Sequence, residues 1–176
     1  MMGWMLAASD VASELAQATA EEEHLLWPVL LVAMTVTAVC CWLHFESLQG
    51  LIRLSKRFTH TARQAVMMTV LALILLHLVE IMFSALAYAG LHYAFGNKIG
   101  HIAGNFNGTV ADVVYFSFTT YTTVGYGDLY PVGAIRLLTG VEALAGLVFI
   151  TWSASFTFLI MQSHYETLTG QRKKDK

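Results

Sequence analysis

The chain has 176 residues, of which 56% are hydrophobic and only 12% are charged, with a mean hydropathy of +0.58. Such a high apolar fraction excludes an ordinary soluble domain and is typical of a membrane protein. The net charge of −2 says little by itself, and we expect no nucleic-acid partner.

The first part of the chain, 1–24, is acidic, and we predict that it is an extracytoplasmic segment. It contains aspartate and glutamate but no Lys or Arg. It also lacks the basic start and the apolar core of a cleavable signal peptide. With Ser9 as an N-cap, it either forms a short helix over about 10–22 or is disordered.

Three apolar segments are long enough to cross a bilayer: 25–45, 65–93 and 132–161. A span needs about 20 apolar residues, so the second and third segments have length to spare. The segment between them, 94–131, is too polar to cross. We therefore predict an all-α membrane protein with three transmembrane helices.

Basic residues concentrate in a loop, 46–64, and in a tail, 163–176. The positive-inside rule places both in the cytoplasm, which leaves the N-terminus outside the plasma or inner cell membrane. Both regions are candidates to rest on anionic lipid headgroups. Their basic side chains are Arg53, Lys56, Arg57, Arg63, Arg172, Lys173, Lys174 and Lys176.

Three ionisable residues inside the spans carry a functional hypothesis, because such residues are rare in lipid. They are His77, Glu80 and Glu142. His77 and Glu80 share a helix face, and the helical rise places Glu80 and Glu142 at similar depths, so we expect the two acids to face each other. Two interpretations stay open: a hydrogen-bonded clamp, with Glu142 protonated, or a proton sensor coupled to gating.

The polar segment 94–131 contains the sequence signals of a helix N-terminus. Asn107 and Gly108 form a turn signal. Thr109 then serves as an N-cap, with Asp112 three residues on as the acidic partner of a capping box. The sequence therefore predicts a short helix over about 110–121.

The most informative run, Thr122 to Asp128, reads Thr-Thr-Val-Gly-Tyr-Gly-Asp. The glycines allow backbone angles that a side chain would forbid, so successive carbonyls can point the same way. Four copies around an axis would line a pore with carbonyl rings that replace the water around K⁺. The run resembles the selectivity filter of potassium channels, and the resemblance extends over about Ala65 to Met161.

This resemblance implies a pore domain over 65–162 that assembles as a homotetramer in the lipid bilayer. Its parts would be an outer helix (65–93), a re-entrant pore helix (110–121), a filter (123–127) and an inner helix (132–161). The ion it carries would be K⁺, and no organic cofactor is expected. The implied filter residues are Thr123, Val124, Gly125, Tyr126 and Gly127.

Residues beside the filter also take roles from the resemblance. Thr122 and Asp128 flank it, and Asp128 would concentrate cations at the outer mouth and anchor the filter to the pore helix. Tyr115 and Phe116 fall where such channels keep an aromatic cuff. Thr119 stands where the simplest bacterial channels hold an acid, so the resemblance does not imply inactivation that depends on that acid.

The third span resembles the pore-lining inner helix. Gly146 lies at the spacing of a gating hinge, and its alternative role is close helix packing. Gly140 is a second candidate, with packing the preferred role. Phe158 could form an apolar ring that gates by dewetting, at the end of a helical stripe with Leu147, Ile150 and Ala154.

The first span has no spaced arginines and so is not a voltage sensor. We expect it to pack peripherally against the outer helix. The sequence also has no Gly-rich nucleotide loop and no Ca²⁺ loop, so we expect no gating through such a domain.

The predicted function is passive, K⁺-selective conduction. Two alternatives stay open: a weakly selective cation channel, and an electrically silent or regulatory membrane subunit. A translocating subunit of a potassium transporter is disfavoured, because those systems carry four fused, degenerate repeats. An enzyme is not expected, since no nucleophile and base appear in a plausible site.

Overall fold

A computed structural model of the chain describes the backbone of residues 2–58 and 61–174, and the side chains of residues 24–54, 61 and 63–163. Four α-helices and two short strands make up this described part. The helices are α1 (Met2–Phe58), α2 (Ala62–Phe95), α3 (Val110–Tyr121) and α4 (Ile135–Lys174), and the strands are β1 (His101–Gly104) and β2 (Leu129–Val132). A 3₁₀ turn over Gly96–Ile99 joins α2 to β1.

Three of the helices contain stretches long and apolar enough to cross a membrane. These are His24–Leu54, Arg63–Ile99 and Ile135–Ser163, with hydropathies of 2.1, 2.4 and 1.9. The prediction of three apolar spans is therefore confirmed. The prediction of an all-α fold missed the two strands, because four-residue strands in a glycine-rich loop give no periodic signal.

Helix α1 is continuous over 57 residues, about 85 Å at 1.5 Å per residue. The predicted segment 1–24 and the predicted span 25–45 therefore belong to one helix. The predicted loop over 46–64 is wrong, because α1 runs through most of it to Phe58. Leu48 and Leu51 explain the continuation, since both are buried against α2 and α4.

The other helix bounds also differ from the predicted ones. Thr61 caps α2 by accepting a hydrogen bond from the backbone N–H of Gln64 at 3.3 Å, so this helix begins before residue 65. Helix α4 begins at Ile135 rather than 132, because β2 ends at Val132. It then continues through most of the region that we expected to be a tail.

The buried apolar core forms three clusters along the helix bundle. The central cluster joins all four helices through Cys40 (α1), Ile81 (α2), Tyr121 (α3) and Phe149 (α4). In the other clusters, too, residues of α1 pack with residues of α2 and α4. The expectation that the first span packs peripherally against the outer helix is therefore incomplete, since it contacts α4 as well.

The two strands bring the chain after α3 back against the chain before it. They pair antiparallel, with Gly104 opposite Leu129. The N–H of Asn105 donates to the carbonyl of Asp128 at 3.0 Å. Gly104 has φ +97, and a Cβ there would lie 2.0 Å from the Asp128 carbonyl oxygen. Only glycine permits this close approach of the two backbones.

Replacing Gly104 with Ala should therefore destabilise the folded chain. The matched control is Gly108→Ala, because Gly108 also has positive φ (+76) but has open space around its Cβ position. We expect Gly104→Ala to lower the free energy of unfolding by about 2 kcal/mol more than the control does. Thermal unfolding in detergent measures the difference. Equal stability of the two variants would contradict the steric argument.

Candidate functional site

Helix α3 begins with the capping box that the sequence predicts. The backbone N–H of Asp112 donates to Thr109 Oγ1 at 3.2 Å. The Asp112 carboxylate accepts from the backbone N–H of Thr109 at 3.1 Å and from that of Asn107 at 2.9 Å. The helix ends at Tyr121, so the negative end of its dipole lies beside the residues of the Thr-Val-Gly-Tyr-Gly run.

The run itself, residues 123–127, is called here the TVGYG segment. It leaves α3 through two backbone hydrogen bonds: Thr123 N–H to Thr120 O at 2.9 Å and Gly125 N–H to Thr119 O at 3.1 Å. The buried Thr119 thus contacts the segment through its carbonyl, and its hydroxyl donates to the carbonyl of Phe116. The helix end therefore holds the start of the segment in place.

The backbone φ angle of the TVGYG segment alternates between positive and non-positive values from residue to residue. Thr123, Gly125 and Gly127 have φ of 58, 50 and 84, whereas Val124 and Tyr126 are not in the positive region. A regular helix or strand has no such alternation of φ. In principle, this alternation permits successive peptide carbonyls to turn toward one side. A threonine in the left-handed region costs about 1–2 kcal/mol, so its surroundings must impose this conformation.

The TVGYG segment is not enclosed by its own chain. Residues 123–128 are all exposed, with Val124 at 53% and Tyr126 at 73%. A Cβ added at Gly125 or Gly127 would meet no atom within 4 Å. The side chains of Val124 and Tyr126 are therefore uncovered in a single chain.

The outer end of the segment is tied back to α3. The hydroxyl of Tyr115 donates to Asp128 Oδ2 at 3.0 Å. Desolvation and the Asp128 carboxylate raise the pKa of the Tyr115 phenol above its ordinary value of 10.0. Phe116 does not share this position, because it is buried in the core and packs edge-on against Tyr88. Of the two predicted cuff aromatics, only Tyr115 contacts the residues next to the segment.

Glu142 is buried and holds α3 from the side of α4. Its Oε1 accepts from Ser117 Oγ at 2.5 Å, and its Oε2 accepts from Tyr88 OH at 2.6 Å. The Tyr88 hydroxyl also lies 3.1 Å from Thr139 Oγ1. One carboxylate therefore joins α2, α3 and α4.

Glu80 on α2 is fully buried and binds α3 at Tyr121, one helical turn after Ser117. Its Oε2 accepts from Tyr121 OH at 2.5 Å and lies 3.1 Å from His77 Nδ1, while its Oε1 lies 2.9 Å from His44 Nδ1 on α1. Glu80 and Glu142 have separate hydrogen-bond partners among the described side chains. That the two acids face each other stays a prediction.

The predicted gating residues on α4 divide into buried and exposed positions. Gly146 is buried, and a Cβ there would lie 2.1 Å from the carbonyl oxygen of Tyr121. This contact supports packing for Gly146, while the hinge role stays a prediction. Gly140, for which packing was preferred, has nothing within 4 Å of its Cβ position in the chain. The predicted stripe is exposed at all four positions, Leu147, Ile150, Ala154 and Phe158.

Sequence reasoning missed several residues of these networks, among them His44, Ser117, Tyr121 and Tyr88. His44 lies inside the predicted first span, so its presence in an apolar segment was an available signal. Ser117 and Tyr121 are separated by one helical turn of the predicted helix 110–121, and that spacing places both on one face. Tyr88 had no signal, because a tyrosine in an apolar helix is ordinary.

The contact of Gly146 with α3 predicts that Gly146→Ala disturbs the support of the TVGYG segment. Gly140→Ala is the matched control, because it adds the same methyl group to α4 in open space. We expect Gly146→Ala to lower the free energy of unfolding by about 1–3 kcal/mol, while Gly140→Ala leaves it unchanged or slightly raised. Thermal unfolding tests this, and similar behaviour of the two variants would refute the packing role.

The capping box predicts an acid-sensitive contribution to stability. Backbone hydrogen bonds, first that from Thr109, hold the pKa of Asp112 below its ordinary value of 3.8. The carboxylate therefore stabilises the folded chain above pH 3.8, and this contribution is lost as the pH falls through the lowered value. The advantage of the wild type over Asp112→Asn in thermal unfolding should shrink from about pH 7 to about pH 3. A stability difference between the two proteins that stays constant over this pH range would exclude the acid-sensitive contribution of Asp112.

The comparisons with known proteins address the region that contains this site. A family model described as "Ion channel" matches residues 65–163, which is more than half of the 176-residue chain. The comparison with curated proteins and the comparison with solved structures each gave no significant match. The matched region begins in α2, includes α3 and the TVGYG segment, and ends in α4.

Together with the three apolar helices, this match indicates a multi-pass membrane protein that transports ions, and a family of channels rather than of enzymes. The chain belongs to the ion channel family that has the two-span potassium-channel pore domain.

Proposed function

We propose that four copies of this chain form a K⁺-selective channel, with the TVGYG segment as its selectivity filter. The observation that carries the proposal is the alternation of backbone hand at Thr123, Gly125 and Gly127 in a segment that its own chain leaves exposed. Carbonyl rings built from four such segments would replace the hydration shell of K⁺. In this proposal K⁺ is the transported ion.

The exposure of the segment supports assembly of identical subunits. Irregular backbone at membrane depth is tolerated only where it is buried in protein or lines a water-filled cavity. A single chain provides neither for residues 123–127, since Val124 and Tyr126 are exposed and the glycines have no neighbours on their open side. Neighbouring subunits would cover the side chains of Val124 and Tyr126. Water and ions in the pore would contact the backbone carbonyls of residues 123–127.

The polar ends of the described helices support a topology with the filter near the outer surface. Asp128 is exposed, and the two-stranded ribbon and Tyr115 hold it at the end of the segment, so it would draw cations to the outer mouth. Arg53 and Arg63 are exposed near the turn between α1 and α2. The positive-inside rule then puts this turn and the C-terminus in the cytoplasm of the cell membrane.

The inner helix of the proposed pore would be α4. Phe158 is 57% exposed and continues the exposed stripe of Leu147, Ile150 and Ala154, so it is a candidate for an apolar ring at the inner end. Glu142 lies on the buried face of the same helix, where its bonds to Ser117 and Tyr88 favour the clamp interpretation over a proton sensor.

Ion flux into liposomes that contain the purified protein tests the proposal. We expect K⁺ uptake that Ba²⁺ blocks and that excludes Na⁺. Gly125→Ala should reduce this uptake at least about tenfold, because it adds a methyl group and backbone strain inside a carbonyl ring. Gly90→Ala is the control, since its Cβ position on α2 is open and far from the segment in sequence.

The other functions have distinct outcomes in the same experiment. Flux of both K⁺ and Na⁺ would establish a weakly selective cation channel. A protein that assembles as a tetramer but conducts neither ion would be an electrically silent subunit. Equal loss of flux in both glycine variants would show that Gly125 has no special role.

A further inference from the structure

A compact cluster of metal-ligating side chains lies outside the TVGYG segment. His44 of α1 and His77 and Glu80 of α2 each direct one ligand atom to a common point, and these atoms all lie within 4.8 Å of one another. His44 and Glu80 are fully buried, while the His77 side chain is 18% exposed. The matched family region includes His77 and Glu80 but not His44, which belongs to the preceding helix α1.

Both imidazole rings turn the same nitrogen toward the carboxylate. His44 Nδ1 lies 2.9 Å from Glu80 Oε1, and His77 Nδ1 lies 3.1 Å from Glu80 Oε2. The hydroxyl of Tyr121 approaches the same point, at 2.8 Å from His77 Nδ1. The Nδ1 atoms of both histidines therefore lie close to the carboxylate oxygens of Glu80 and to the hydroxyl of Tyr121.

These distances suit a small divalent ion. Zn²⁺ binds histidine nitrogen at about 2.0–2.1 Å and carboxylate oxygen at about 2.0–2.2 Å, so neighbouring ligand atoms of a tetrahedral site lie about 3.4 Å apart. The contacts of 2.9 and 3.1 Å need to lengthen by only a fraction of an ångström to reach that spacing, and the three ligand atoms all lie within 4.8 Å of one another. Two histidines with one carboxylate form a donor set that transition metals bind and that Ca²⁺ or Mg²⁺ do not prefer.

The His44 ring has neighbours on its second nitrogen and on its ring faces, which fix its orientation as expected for a metal ligand. Its other ring nitrogen, Nε2, lies 3.4 Å from Ser153 Oγ on α4. Its ring stacks on Phe149 with centroids 5.1 Å apart and contacts Trp152 at the same distance. A hydrogen-bond partner on the distal nitrogen fixes the ring and the tautomer of a metal-binding histidine.

The charge of the cluster also favours a cation. A buried carboxylate at membrane depth is costly unless a positive charge or several hydrogen bonds compensate it, and here Tyr121 and the two histidines supply hydrogen-bond contacts. Among the side chains that the structure describes, the ion pairs of Glu80 are with these two histidines and not with Lys or Arg. A divalent ion would compensate the carboxylate while both imidazoles stay neutral.

We propose that His44, His77 and Glu80 bind one divalent transition-metal ion per chain, with Zn²⁺ as the best chemical match and Tyr121 close enough to supply or orient a fourth oxygen ligand. The ion would tie α1, which the family model does not include, to α2 and to the end of α3. Because Thr122 and Thr123 follow Tyr121 directly, occupancy of the site would alter the position of the TVGYG segment.

Metal binding to the purified protein tests this proposal without any measurement of flux, so its outcome is independent of the proposed channel function. Tag-free protein in detergent is stripped with a chelator, dialysed against Zn²⁺ and analysed for bound metal. We expect one Zn²⁺ per chain and a raised melting temperature. His77→Gln should weaken the binding at least about tenfold, and His92→Ala, a histidine outside the cluster, should leave it unchanged.

Co²⁺ substitution supplies a second readout on the wild-type protein, which does not depend on how any variant folds. Four-coordinate Co²⁺ with nitrogen and oxygen ligands absorbs visible light strongly, and this band should appear at one equivalent. Three results would overturn the proposal: less than about one-fifth of a Zn²⁺ per chain, equal binding in wild type and His77→Gln, or only the weak spectrum of six-coordinate Co²⁺.

Discussion

Two buried carboxylates hold one face of α3, and the position of the TVGYG segment depends on them. Glu142 accepts a hydrogen bond from Ser117, and Glu80 accepts one from Tyr121, one helical turn later. A hydrogen bond to an ionised or strongly polar partner is worth more in a dry site than in water, and an unpaired buried carboxylate would be severely destabilising. The short helix is therefore fixed in depth and in rotation before the chain enters the segment.

The outer end of the segment has a separate support. Asp128 accepts from Tyr115 through its side chain and from Asn105 through its carbonyl, so the residue after the segment is tied to both α3 and the ribbon. Gly104 is what allows the ribbon backbone to come so close to Asp128. The TVGYG residues thus lie between two fixed points, with a strained conformation at Thr123 that the fixed points maintain.

The N-terminal helix is part of this arrangement rather than an addition at its edge. It packs with α2 and α4 in all three buried clusters, and its His44 reaches the carboxylate that holds Tyr121. A change in the position of α1 would therefore alter the end of α3 through the contacts of Glu80 with His44 and Tyr121. This connection gives the helix a physical route to the TVGYG segment that a peripheral packing role would lack.

The sequence by itself determined the features that depend on neighbouring residues: three apolar spans, the capping box at Thr109, the helix after it and the Thr-Val-Gly-Tyr-Gly run. These are short-range signals, because a cap, a helical turn and a backbone conformation are fixed by residues a few positions apart.

Only the tertiary structure decided that Glu80 meets His44 and that Glu142 meets Ser117 and Tyr88. The same is true of the two strands and of the close contact at Gly146. In a membrane helix every face is apolar, so hydrophobic periodicity does not say which face turns inward. The partner of each buried polar group is set by how the helices are rotated against one another, and that rotation comes from packing between segments that are far apart in the chain.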